Sequence, residues 1–273
     1  MRHNSILSFS LFLLIIGCCG CIWGLADPIT ESGGFNPDPL IVLHQADTNK
    51  TVETGPVASE ELESATLVLT HPPDSERIPY TERNFSPSIE AAIAWWMAPA
   101  FMDNTSEFRG YQRANSEKRA TFDEEKQIFY NFIQDSLDTA ENESELKSDL
   151  ILFRGISPGV AGMVLNNSEY REAAFASTAY DPAVCLDVFG ATDTEGYHNV
   201  LVLERKNGEH TLYINEDERE YLIPRGSDWQ VVKSIVIDNL TIEADFLLFN
   251  RTEMTDSFKN VRLIYITPIQ GEK

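Results

Sequence analysis

Hydrophobic and polar positions change their period once along this 273-residue chain. Between residues 88 and 138 apolar side chains recur at helical spacing. Ile89, Ile93, Trp96 and Met97 share one face behind a capping Ser88. Ile128, Phe129, Phe132, Ile133 and Leu137 share another behind Thr121 or Asp123, and the polar stretch Glu107 to Arg119 between them reads as a further short helix. From Leu150 onward short runs rich in Val, Ile, Leu and Phe alternate with turn residues, at 150–154, 173–178, 199–204, 220–223, 229–237, 244–249 and 260–267. That pattern predicts an α+β fold, with N-terminal helices followed by a strand-rich core of two packed sheets.

The ends of the chain read differently. Residues 1–26 open with Arg2 and continue from Ile6 to Ala26 without a charge, which is the pattern of an export signal. Ile15-Ile-Gly-Cys18 resembles a lipobox with Cys18 as the acylated residue; cleavage near Ala26 and an uncleaved membrane anchor are the alternatives. Residues 27–85 hold seven of the thirteen prolines and read as an extended tether, although Leu40–Leu43 and Ala65–Thr70 are apolar enough to be strands packed on the main domain. The main domain then spans 86–273, with a helical part at 86–148 and the core at 149–273. Three of the four cysteines sit in the first 26 residues. Cys185 is left without a disulfide partner, and no Cys/His spacing for a metal exists. Seven Asn-x-Ser/Thr sequons, at Asn49, Asn84, Asn104, Asn142, Asn166, Asn239 and Asn250, agree with an exported glycoprotein.

A net charge of −22, with no Lys/Arg cluster, excludes nucleic acid as a partner and leaves the membrane to the N-terminal anchor alone. It also means that any anionic ligand needs local cationic help.

Candidate chemistry lies in three strand-like segments: Leu150-Ile-Leu-Phe-Arg154-Gly155, Phe175-Ala-Ser177-Thr178-Ala179 and Glu218-Arg-Glu220-Tyr-Leu-Ile-Pro-Arg-Gly226. Residues two apart on a strand share a face, so Glu218 and Glu220 are expected to reach one pocket. Paired carboxylates stabilise the positive charge of a sugar during cleavage of an N-glycosidic bond. Arg154 ends an apolar run, an expensive place for a charge without a partner, and its planar fork suits phosphate. An edge-strand arginine paired with Asp149 or another acid is the plainer alternative. Cys185 is expected to be a small buried residue rather than a nucleophile.

In that order the three segments resemble the arginine-serine-glutamate class of mono-ADP-ribosyltransferases, which includes the enzymatic subunits of binary actin-modifying toxins and cell-surface ecto-transferases. The resemblance runs from about residue 88 to the end and implies an ADP-ribosyltransferase-like core that uses NAD as substrate and no metal. It assigns Glu220 to the nicotinamide ribose, Glu218 to the acceptor guanidinium, and Ser177 to steadying Glu220. Arg154, Gly155, Thr178 and Phe189 fall to the dinucleotide, with Phe189 either stacking on nicotinamide or packed in the core. Tyr213 falls in the loop that recognises the acceptor, or is an ordinary strand residue. The third hydroxyl of the usual Ser-Thr-Ser is missing at Ala179. The Glu-x-Glu form implies arginine on an acceptor protein. The expected protein is thus an exported, monomeric protein-arginine mono-ADP-ribosyltransferase, with an NAD glycohydrolase and a catalytically silent binding module as alternatives.

Overall fold

The computed structural model describes residues 44–45, 50–52, 57–98, 102–189 and 191–269. All of them belong to the unit Asp38–Lys273. The expected export segment 1–26, with Cys18, lies outside the described residues, as does Leu40–Leu43.

Eleven strands form one mixed sheet among the described residues. Its long centre is β10 (Ser227–Ala244), which pairs antiparallel with β11 (Thr255–Pro268) and parallel with β3 (Ser59–Leu69). Two short strands, β1 (His44–Gln45) and β2 (Lys50–Val52), flank β3, and β5 (Glu169–Glu172) joins the start of β10. On the other side β11 runs parallel to β7 (His198–Arg205), and β7 is antiparallel to β4 (Leu150–Gly155). The path ends with β6 (Ala176–Ala179), β9 (Glu220–Ile223) and β8 (Leu212–Asn215).

Two sequence expectations are corrected here. The core is one hydrogen-bonded sheet rather than two, although β4 meets β6 at a single residue pair, Phe153↔Ala179, so two halves do diverge from a seam. The stretch from Ser59 to Leu69, read as tether, is a strand of the sheet. Its Leu62, Ala65, Leu67 and Leu69 are buried, and ten backbone partners on β10 hold it. The prolines of residues 27–85 all lie outside that strand, as ladder pairing requires.

The helices of 87–142 precede the strands from Leu150 onward, as expected, but β3 comes before them. Helix α1 (Pro87–Met97) starts with proline in its first turn behind Ser86, two residues before the predicted cap. Helix α2 (Met102–Arg113) and the single turn α3 (Ser116–Arg119) fill the polar stretch, and α4 (Glu124–Asn142) is capped by Asp123, whose carboxylate accepts from the Lys126 amide at 2.8 Å. The buried seam of α4 is Tyr130, Ile133, Leu137 and Ala140; Ile128 and Phe132 face outward because a 3.6-residue period admits one such stripe. With Trp95, Trp96 and Phe108 this seam packs on Phe175, Leu212, Ile214 and Leu222 of the β6–β9–β8 half. Sequence periodicity missed α5 (Pro158–Asn167) and β5, while α6 (Pro182–Asp187) occupies the segment before Phe189. The expected run 244–249 only completes the end of β10.

Candidate active site

Register across the seam sets up the cleft. Phe153 of β4 faces Ala179 of β6, and Ala179 faces Glu220 of β9. The last residues of β4, the middle of β6 and the first residue of β9 therefore open onto a common space. Arg154, Gly155, Ser177, Thr178, Phe189, Glu218 and Glu220 all line that one cleft, together with Trp96 and Thr105 from the helices. The structure thus brings together every site residue expected from the sequence.

The route by which Glu218 arrives differs from the expectation. Strand β9 begins only at Glu220, and Glu218 lies in the preceding turn, so strand alternation does not place it. Arg219 takes a left-handed φ of 53°, and the Glu218 amide donates to the Asn215 side chain at 2.7 Å. That turn aims both carboxylates into the cleft. Burial, then the neighbouring charges of Glu220 and Asp217, raise the Glu218 carboxyl above the ordinary range.

Glu220 is 5% exposed, and the Trp96 indole donates to its Oε1 at 3.1 Å. The Ser177 hydroxyl, expected to steady Glu220, accepts at 2.8 Å from Arg109 of α2. Arg109 lies 4.8 Å above the Trp96 ring, and burial followed by repulsion from Arg154 lowers its guanidinium to about 10. Thr178 turns its hydroxyl to the Tyr221 carbonyl at 2.8 Å, which fixes β6 against β9.

Arg154 is paired with an acid, as the plainer alternative expected, but it lies on an interior strand and the acid is not Asp149, which binds Lys206. Its partner is Glu172, a carboxylate 1% exposed that also collects Arg113 at 2.8 Å and the Tyr170 hydroxyl at 2.8 Å. Two donors beside the cleft, Arg154 Nη1 and Arg109 Nε, are buried without a partner. Unsatisfied guanidinium nitrogens at a cleft wall suit an anionic ligand such as a dinucleotide phosphate.

Gly155 is needed where it stands. A Cβ there would lie 2.9 Å from the Phe189 carbonyl oxygen and 3.1 Å from that of Cys185. The backbone of the loop after α6 therefore lies directly on β4, and Phe189 is half-exposed at the cleft rather than packed in the core. Cys185 is buried, with its thiol pushed up to about 12 by desolvation. Tyr213 is buried too and donates to Glu216, so it is a strand residue and presents no surface to an acceptor.

Sequence reasoning missed Arg109, Glu172 and Arg113, and read Trp96 as packing. One signal was available: Arg109 and Arg113 lie four apart on a polar helix, hence on one face.

No family model and no curated protein matches the sequence. Among solved structures the chain is similar to Plx2a, an ADP-ribosyltransferase toxin from Paenibacillus larvae, at 12% identity and a TM-score of 0.44, over 68% of this chain and 88% of that one. It is similar to the ADP-ribosyltransferase Vis at 13% identity and a TM-score of 0.46, over 72% and 79%. For C3stau2 from S. aureus, solved with NAD, the values are 18% identity and 0.44, over 69% and 89%.

Proposed function

We propose that this protein transfers ADP-ribose from NAD to a protein side chain, with arginine as acceptor, and releases nicotinamide. One observation carries the reading: a guanidinium, a hydroxyl and two carboxylates from segments far apart in the chain line a single cleft. The motif order alone required no such convergence.

Each role follows from local chemistry. Arg154, with one nitrogen on Glu172 and another unpartnered, offers a fork to phosphate, and Arg109 adds a second cation beside it. Phe189 presents an accessible ring to the nicotinamide, and the close approach at Gly155 sets that ring's height above β4. Glu220, oriented by the Trp96 indole, holds negative charge where positive charge grows on the ribose as nicotinamide departs. Glu218, lining the cleft and with a raised proton affinity, accepts the proton of the incoming guanidinium. Export of the chain, by lipid anchor on Cys18 or by a cleaved signal, and action as a monomer belong to the same proposal.

Labelled NAD tests it. Wild-type protein is expected to release nicotinamide and to label an arginine-containing protein. Glu220→Gln loses both activities, whereas Glu218→Gln keeps nicotinamide release and loses labelling. Equal effects of the two substitutions would overturn the assigned roles. Nicotinamide release with no label on any protein would make water the acceptor.

A further inference from the structure

Resting on the reading above, we propose that Arg219 and Glu216 are positioning residues that hold Glu218 at a set spacing from Phe189, so that cleavage of NAD is coupled to capture of a guanidinium acceptor. Arg219 is the middle residue of the Glu-x-Glu segment, and neither the cleft nor its ligand needs it directly. It is nevertheless firmly tethered outside the cleft.

Its guanidinium binds the Asp181 carboxylate and the Leu247 carbonyl and lies 5.7 Å from the Tyr180 ring and 5.2 Å from that of Phe246. Asp181 is fully buried and serves two further donors, the Ala183 amide at 2.8 Å and the Phe249 amide at 2.7 Å. The first of these caps α6, the helix that runs into Phe189. One buried carboxylate therefore ties the turn that carries Glu218 to the helix that leads into Phe189. A left-handed φ at a residue with a long side chain persists only where its surroundings over-determine it, and the clamp supplies that constraint.

The other end of the turn is held independently. Glu216 accepts from the Tyr180 hydroxyl at 2.6 Å, from the Tyr213 hydroxyl, and from Arg77 at 3.3 Å. Burial raises its carboxyl, but bonds from His71, Tyr180 and Tyr213 outweigh that and bring it down to about 2. Between the two anchors lie Asp217 and Glu218, both exposed, and Glu218 lines the cleft. A turn fixed on both sides presents its carboxylate at one distance from the cleaved bond, which is what guanidinium must satisfy to compete with water. Water, being small and abundant, has no such requirement.

Agmatine and polyarginine serve as acceptor probes, with nicotinamide release and acceptor labelling measured on the same full-length protein. Arg219→Asn removes the clamp while tolerating left-handed backbone. It is expected to leave nicotinamide release within about twofold of wild type, to raise KM for agmatine and to lower the transfer-to-hydrolysis ratio about tenfold or more. KM for NAD should not move. Arg219→Lys, which reaches Asp181 alone, should recover part of the ratio. Tyr180→Phe removes one hydroxyl from Glu216 without emptying the core and should lower the ratio in the same direction. A general loss of structure would instead depress both activities together. If wild type transfers to the probes and the ratio is unchanged in all three variants, or if both activities fall in parallel, the inference is refuted and the functional reading stands. If wild type releases no nicotinamide, the functional reading fails and takes the inference with it. If wild type releases nicotinamide and labels neither probe, the coupling is refuted alone.

Discussion

Replacing Glu172 by glutamine tests whether the buried carboxylate is what lets Arg154 stand at the end of an apolar strand. The side chain is 2% exposed and receives Arg154, Arg113, the Tyr170 hydroxyl and the Ala174 amide, all between 2.8 and 3.2 Å. Glutamine keeps the shape but removes the charge and turns one acceptor into an NH2 group facing donors. Arg154, with 14% of its side chain exposed, is left nearly alone in a low-dielectric wall. Breaking a buried ion pair in this way costs about 3–5 kcal/mol. The Arg113 contact adds little to that, because its side chain is 46% exposed and screened. Against a typical stability of about 5–15 kcal/mol this is a large fraction, and it corresponds to a melting temperature lower by about 10 °C. A urea titration should show a lower midpoint with the same slope. The acid limb provides an independent check. Burial raises the Glu172 carboxyl, but Arg154 and Arg113 outweigh it and hold the group below its ordinary value of 4.5. Its contribution is therefore complete above that value and disappears as pH falls through the lower folded value. The gap between wild type and Glu172→Gln should narrow over that window. A midpoint shift equivalent to less than about 1 kcal/mol, or a gap that stays constant into acid, would refute the reasoning.

Trp96→Phe removes the donor to Glu220 while keeping an aromatic ring in the helical core. A hydrogen bond to a charged group is worth about 1.5–3 kcal/mol, so nicotinamide release should drop about ten- to one-hundred-fold in kcat, read by steady-state kinetics; an unchanged kcat would show that the indole does not orient the carboxylate. Gly155→Ala forces the Phe189 loop off β4 at a cost of about 1–3 kcal/mol, and calorimetry should show weaker NAD binding. Because the Glu218 carboxyl is raised, lowering the pH should extinguish transfer at a pH where hydrolysis persists, and Glu218→Gln, which transfers at no pH, should keep the wild-type pH profile of nicotinamide release.

The sequence revealed most where chemistry and local period coincide. Arg154-Gly155, Ser177-Thr178 and Glu218-x-Glu220 each sit at the end or in the middle of a recognisable apolar run, so their strands and their order could be read directly. What escaped was set by partners distant in the chain. Nothing near Glu172 marks it as the acid for Arg154, because the pairing depends on β5 joining β10. Arg109 looks like one more polar residue on a surface helix until α2 is laid over the seam. The reach of Trp96 to Glu220 spans 124 residues, and no periodicity argument carries that far. Glu218 was placed in the right cleft through the wrong geometry, since strand alternation was assumed where a left-handed turn does the aiming. Proline density between 27 and 85 masked β3, whose own eleven residues contain none.

Strand β3 also sets a schedule for self-assembly. Ser59 and its partner Ser234 are separated by 175 positions. Because synthesis starts at the amino end, a ribbon bearing Leu62, Leu67 and Leu69 is finished early and, with only the short β1 and β2 beside it, waits for β10 until almost everything downstream exists. For that interval its open side is a sticky edge, and a holdase that covers it is expected to raise the folded yield.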